Sequence, residues 1–168
     1  MKFVVIALIF ATSAYAQKPR LASACGPEPA GFKVKLDNSS HGLAPPEPGK
    51  ARVYFIHDAG TYFAHPPGYP TTKLGMDGAW VGANHADSWF SISVAPGEHH
   101  VCAALQSLFV DQRVALVHFT AEAGKSYYFR TRLLMSRNVE LLDLDPIDSD
   151  QGKYLIESYP LSISQLKK

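Results

Sequence analysis

Residues 71–82 read Thr-Thr-Lys-Leu-Gly-Met-Asp-Gly-Ala-Trp-Val-Gly (TTKLGMDGAWVG), and this stretch decides the class of fold. Asp77-Gly78 is flanked by strand-like segments, and a two-residue reversal between paired strands demands positive φ at both central positions. Glycine adopts that conformation without steric cost, and aspartate tolerates it. Thr71–Met76 and Ala79–Gly82 therefore read as a β-hairpin.

Downstream, Ser88–Val94 and Glu98–Leu105 are joined across Ala95-Pro96-Gly97, where proline presets φ and glycine accepts a positive one. Val114–Ala121 and Ser126–Leu134 meet in the same way across Glu122-Ala123-Gly124-Lys125, and Val139–Leu144 is a weaker last strand. Upstream, residues 51–57 (ARVYFIH) are rich in β-formers and read as a buried first strand. Successive hairpin signals without helical periodicity between them predict an antiparallel meander or sandwich. One helix is expected near the end. Asp148 caps it, with Gln151 three residues on and Asp150 in the first turn. Tyr154, Leu155 and Tyr159 face inward, and Pro160 stops the helix. Leu161–Ser164 adds a short strand. The expected class is all-β: an antiparallel β-sandwich with one short C-terminal helix.

The N-terminus has a different character. Met1-Lys2, the apolar Phe3–Phe10 and then Ala14-Tyr15-Ala16 before Gln17 follow the order that a signal peptidase reads. Residues 1–16 are thus expected to be a cleavable export signal, placing the chain in the periplasm or outside the cell. A spanning helix needs about 20 apolar residues. No transmembrane span is expected once the signal is removed. Residues 17–50 read as a leader punctuated by Pro27, Pro29, Pro45, Pro46 and Pro48, with Phe32–Leu36 alternating like a strand; residues 51–168 form the sandwich domain. The 168 residues carry 16 Lys+Arg against 15 Asp+Glu, and loss of Lys2 with the signal brings the chain to neutrality. A neutral chain lacks the basic excess that attracts nucleic acid, so no nucleic-acid partner is expected.

Export gives the cysteines their meaning. Cys25 and Cys102 are the chain's two cysteines, and an oxidising compartment favours their pairing. Leu21–Cys25 loosely resembles a lipid-attachment box, but its leucine sits one place too far from the cysteine and lies beyond Lys18 and Arg20. A Cys25–Cys102 bridge is expected to staple the leader to the middle of the domain.

Seven histidines invite a test for metal chemistry: His41, His57, His65, His85, His99, His100 and His118. A metal site needs several such ligands at one point. His99 and His100 point to opposite faces of one strand, so only one could join a given site. His57, His65, His85 and His99 are the candidate ligands of the alternative reading, a small metal-dependent or hydrolytic enzyme. The chain holds no H-E-x-x-H, C-x-x-C or G-x-S-x-G element, phosphate-cradling loop or dinucleotide fingerprint. No catalytic residue is assigned, and no cofactor is expected. Glu140, Asp143, Asp145, Asp148 and Asp150 form an acidic run that reads as a solvated rim capping the helix. The 58–70 loop carries Tyr62, Phe63 and Tyr69, and Trp80 and Trp89 lie on nearby hairpins. Aromatics so placed can form a platform for sugars or peptides, or pack as a mini-core under the loop.

With ARVYFIH (51–57), TTKLGMDGAWVG (71–82), VAPGEHHVC (94–102) and AEAGKSYYFR (121–130), the chain resembles, over roughly residues 51–160, the bacterial family known as domain of unknown function 2846. The resemblance implies an exported prealbumin-like β-sandwich with no established reaction. Its shared elements are turn chemistry around strands, so it transfers no catalytic residue. The combined expectation is a non-catalytic envelope module that binds a protein, peptide or glycan through its aromatic loop side. A pocket joining two or more histidines to a carboxylate favours the enzyme instead; dispersed histidines and an exposed aromatic patch favour the binder.

Overall fold

Both central residues of the Asp77-Gly78 turn have positive φ, 51° and 86°, and the turn joins two antiparallel strands as expected. A computed structural model of the chain describes residues 24–28, 30–39, 42–60, 71–106, 114–136 and 139–167. In chain order the elements are β1 (Phe32–Asp37), β2 (Ala51–His57), β3 (Thr71–Met76), β4 (Ala79–Asn84) and β5 (Ser88–Val94). β6 (Gly97–Gln106), β7 (Val114–Ala121), β8 (Ser126–Ser136) and β9 (Val139–Ile147) follow, then α1 (Ser149–Ser158) and β10 (Leu161–Leu166). Among these residues the strands form a six-stranded sheet, β1-β10-β5-β2-β8-β9, packed on a four-stranded sheet, β4-β3-β6-β7. Over the described residues the chain is an all-β sandwich with one short helix. The expected export signal, residues 1–16, lies outside the described residues. No described helix is long and apolar enough to cross a membrane.

Two of the expected hairpins are not hairpins. β5 belongs to the large sheet and β6 to the small one, so Ala95-Pro96-Gly97 carries the chain between layers. Glu122–Lys125 likewise links β7 in the small sheet to β8 in the large one. The turn residues do reverse the chain, with Gly97 at φ 137° and Gly124 at φ 78°. Turn chemistry fixes a local reversal but not the identity of the bonded neighbour. β2 pairs in parallel with β8 and antiparallel with β5, and β10 meets β5 in parallel at Leu161 and Trp89, so the large sheet is mixed.

β2 is nearly continuously apolar because it sits mid-sheet with both faces covered. Its inner row, Ala51, Val53 and Phe55, packs with Phe90, Val94, Phe129 and Leu144 against Leu74, Met76, Val101 and Ala103 of the small sheet. Its outer row, Tyr54 and Ile56, lies under α1 with Trp89, Tyr128, Leu155 and Ile156. Each such side chain contributes about 1.5–3 kcal/mol by leaving water.

The Asp148 carboxylate caps α1, accepting the N–H groups of Asp150 and Gln151 at 2.9 Å each. Those bonds, Gln151's first, outweigh burial and hold Asp148 below the usual carboxylate range. The inward stripe is Gly152, Leu155 and Ile156 rather than one containing Tyr154, which is 68% exposed. Helical periodicity explains the correction: 152, 155 and 156 share a face, and 154 points away from it. Gly152 is required by close approach, since a Cβ there would lie 2.4 Å from the Tyr128 ring.

Cys25 and Cys102 are bonded, 77 residues apart. The described leader is built into the sandwich at both layers. Around Cys25 it covers the outer face of the small sheet, and β1 then pairs with β10 as an edge of the large sheet. Lys73 reinforces the first contact: its Nζ meets Glu28 Oε1 at 2.5 Å and the Ala30 carbonyl at 3.0 Å, and lies 4.3 Å from the Trp80 ring centroid.

Candidate functional site

The inner row of β2 is apolar through Phe55 and then ends on His57. By register His57 stands between Ser88 of β5 and Thr131 of β8, giving a polar rung across three strands. Thr72 of β3 and Asn84 of β4, paired with each other, complete it from the small sheet. His57, Thr72, Asn84 and Ser88 are each 0% exposed and Thr131 is 1% exposed. Buried polar groups persist when they bond one another. His57 Nδ1 lies 2.7 Å from Thr72 Oγ1, and Asn84 Nδ2 donates to the Phe55 carbonyl at 3.0 Å. Ser88 donates to the His85 carbonyl at 2.8 Å, and its oxygen lies 2.7 Å from Ser162 Oγ. Having spent its proton on His85, Ser88 accepts that of Ser162.

A histidine nitrogen on a hydroxyl is the geometry of a base and its nucleophile. Here both partners are enclosed in the core, so the contact serves to satisfy two polar groups rather than to meet a substrate. Just beyond the rung, Asp58 accepts the Tyr159 hydroxyl at 2.9 Å, with Arg130 Nη1 at 3.7 Å from its other oxygen. Burial first and the Asp58 carboxylate second push the Tyr159 hydroxyl far above its ordinary value, so it is a permanent donor.

An open volume lies on the other face of the large sheet. Between the C-terminal turn of α1 and residues Asn38, Ser39, Gly42 and Leu43 is a groove of about 500 Å³. Leu43, Trp89 and Ile156 give it an apolar wall; Asn38, Ser39, Glu157 and Ser158 give it a polar rim. The wall is rigidly backed. Trp89 Nε1 donates to the Tyr159 carbonyl at 3.0 Å, Tyr54 stacks on Tyr128 at 5.0 Å, and the Tyr54 hydroxyl donates to the Ala44 carbonyl at 2.8 Å. Trp89 and Ile156 are buried behind the surface, so the groove can hold an extended segment chiefly through its polar rim, with Leu43 as an apolar contact.

The residues singled out from the sequence are dispersed. His57 and His85 lie at one end of the sandwich, His85 Nδ1 being 3.2 Å from Thr71 Oγ1. His99 lies at the other, bonded to Asp77. His65, Tyr62, Phe63 and Tyr69 lie outside the described residues. Among the described residues no group of three or more His, Cys, Asp or Glu could hold a metal ion. Trp89 lines the groove but is only 4% exposed. Trp80 packs on the opposite outer face, against the disulfide, with its Nε1 donating to the Pro27 carbonyl at 3.0 Å. The two tryptophans therefore share no surface. The acidic run is partly paired: Arg132 Nη2 lies 2.9 Å from both Asp143 and Asp145.

Sequence reasoning missed Leu43, Ile156 and Ser158. Their one advance signal was Trp89, because the groove's walls come from distant parts of the chain. Compared with known proteins, the chain matches no family model, no curated protein and no solved structure.

Proposed function

We propose that this protein is an exported, non-catalytic binding module of the cell envelope, periplasmic or extracellular, whose groove takes an extended segment of a protein, peptide or glycan. The observation that carries the reading is the groove of about 500 Å³ with a polar rim, Leu43 at its side and a packed aromatic layer behind it. Preformed concavity of this kind lowers the ordering cost of binding. Three further points support it. Among the described residues, the groove's lining holds no histidine, cysteine or lysine. The base-like pair, His57 and Thr72, lies in the closed core. The resemblance to domain of unknown function 2846, carried by turn motifs, points to an exported sandwich without a reaction.

The test is a photo-crosslinking residue placed at Ser39 on the groove rim, with Leu116 on the outer face of the small sheet as control. In native envelopes the Ser39 probe is expected to give a discrete adduct that the Leu116 probe does not. Identical adducts from both positions, or none from Ser39, overturn the reading.

A further inference from the structure

Away from the groove, the β3–β4 turn sits on β6. The Asp77 N–H donates to the His100 carbonyl at 3.0 Å, and the His100 N–H donates to Asp77 Oδ1 at 2.8 Å. The second carboxylate oxygen, Oδ2, lies 2.6 Å from Nδ1 of His99. The other ring nitrogen, Nε2, lies 2.9 Å from the carbonyl oxygen of Ala95, in the corner between β5 and β6. An ionised carboxylate and a carbonyl oxygen can only accept, so both ring nitrogens must donate. Geometry alone therefore requires an imidazolium, since a neutral ring has one N–H and would turn a lone pair toward one of these oxygens.

We propose that His99 is a protonation-operated clamp: as an imidazolium it ties the β3–β4 turn to the β5–β6 corner, and on losing its proton it keeps Asp77 and releases Ala95. The remaining proton stays on Nδ1 because a carboxylate is a stronger acceptor than a neutral carbonyl. The turn stays docked through the Asp77 N–H on the His100 carbonyl and the His100 N–H on the Asp77 carboxylate, so the corner is the part that loosens.

The groups facing the ring are few. From the β3–β4 turn comes the Asp77 carboxylate, and from β7 the Phe119 ring, 5.6 Å away between centroids. The corner offers the Ala95 carbonyl. Glu98 and His100, its neighbours along β6, project to the opposite face, where the His100 and His118 rings lie 5.9 Å apart. Asp77 is thus the charge that governs His99. The His99 side chain is 13% exposed, so its charge is only partly screened by water.

The titration directions agree with this geometry. Burial pushes His99 down, but the Ala95 carbonyl and the Asp77 carboxylate outweigh it and hold the ring above its ordinary value. Burial pushes Asp77 up, and the His100 N–H and the His99 ring outweigh that and hold it below the carboxylate range. A raised histidine contributes fully below its unfolded value of about 6.5, and that contribution is lost as pH rises through the folded value. A depressed aspartate contributes above about 3.9 and loses its contribution as pH falls through the folded value. The clamp is therefore fully closed between those limits, and each pKa unit gained by His99 on folding corresponds to about a tenfold ratio.

The test is an NMR titration of the full, disulfide-bonded chain, following the His99 ring nitrogens and the Ala95 carbonyl carbon. The wild type is expected to titrate above 6.5, with the Ala95 signal moving at the same midpoint. Asp77→Asn, which keeps a residue tolerant of positive φ, should lower that midpoint, and His99→Gln should abolish the Ala95 response. A His99 midpoint at or below its ordinary value overturns the clamp. So does a midpoint indifferent to Asp77→Asn, or an Ala95 carbonyl that does not follow it. The groove plays no part in any of these readouts.

Discussion

At the His57 end of the sandwich, histidine, hydroxyl and amide side chains crowd into a row where water does not reach. At the C-terminal turn of α1, a groove of about 500 Å³ stands open, lined by serine, asparagine, leucine and a tryptophan edge. The first region has the residue types of catalysis and no access; the second has access and ordinary residue types. Buried polar groups need one another, so they converge whether or not they do chemistry. Convergence of such groups is therefore weak evidence of a reaction, and accessible volume on a rigid wall is better evidence of binding.

Substitutions can break that contrast. His57→Ala leaves a cavity between the sheets and takes the partner from Thr72, and is expected to cost about 3–4 kcal/mol in urea unfolding. Crosslinking from the Ser39 probe, normalised to folded protein, should not change; if it falls, the closed end belongs to the binding surface. Gly152→Ala drives a methyl into the Tyr128 ring and lifts α1, the groove's wall, at about 2 kcal/mol. Here crosslinking should weaken along with stability, and a silent substitution would mean that the helix sits otherwise. Thr72→Val removes the hydroxyl that meets His57 Nδ1 and should cost about 1 kcal/mol with no effect on crosslinking.

The acid–base response belongs to neither region. Stability should decline as pH rises through the raised value of His99, and this alkaline decline should shrink in His99→Gln. On the acid side, Asp77 and Asp148 lose their contributions as pH falls through their depressed values.

Much of the fold was legible because it rests on local chemistry. The Asp77-Gly78 hairpin, the Asp148 cap and the strand density of residues 51–57 are each decided within a few residues. The corners at Gly97 and Gly124 were misread as hairpins because the same positive-φ residues serve a hairpin and a crossing between layers. Tyr154 reads as inward because it is a large aromatic beside Leu155; the stripe is set instead by Gly152, whose lack of a side chain hides it from a hydrophobic pattern. The groove was nearly invisible. Its walls meet because β1 pairs with β10 and brings Asn38 and Ser39 to the end of α1, a long-range pairing without a local signal.

The smallest expected change in stability accompanies the most direct test of the binding reading. Ser158→Trp fills the groove from its exposed rim, where substitutions usually stay within about 0.5 kcal/mol. With the probe at Ser39 in native envelopes, it is expected to lower the adduct about tenfold, equivalent to about 1.4 kcal/mol of binding, with urea unfolding unchanged. An undiminished adduct in the filled variant would contradict the groove as the binding site.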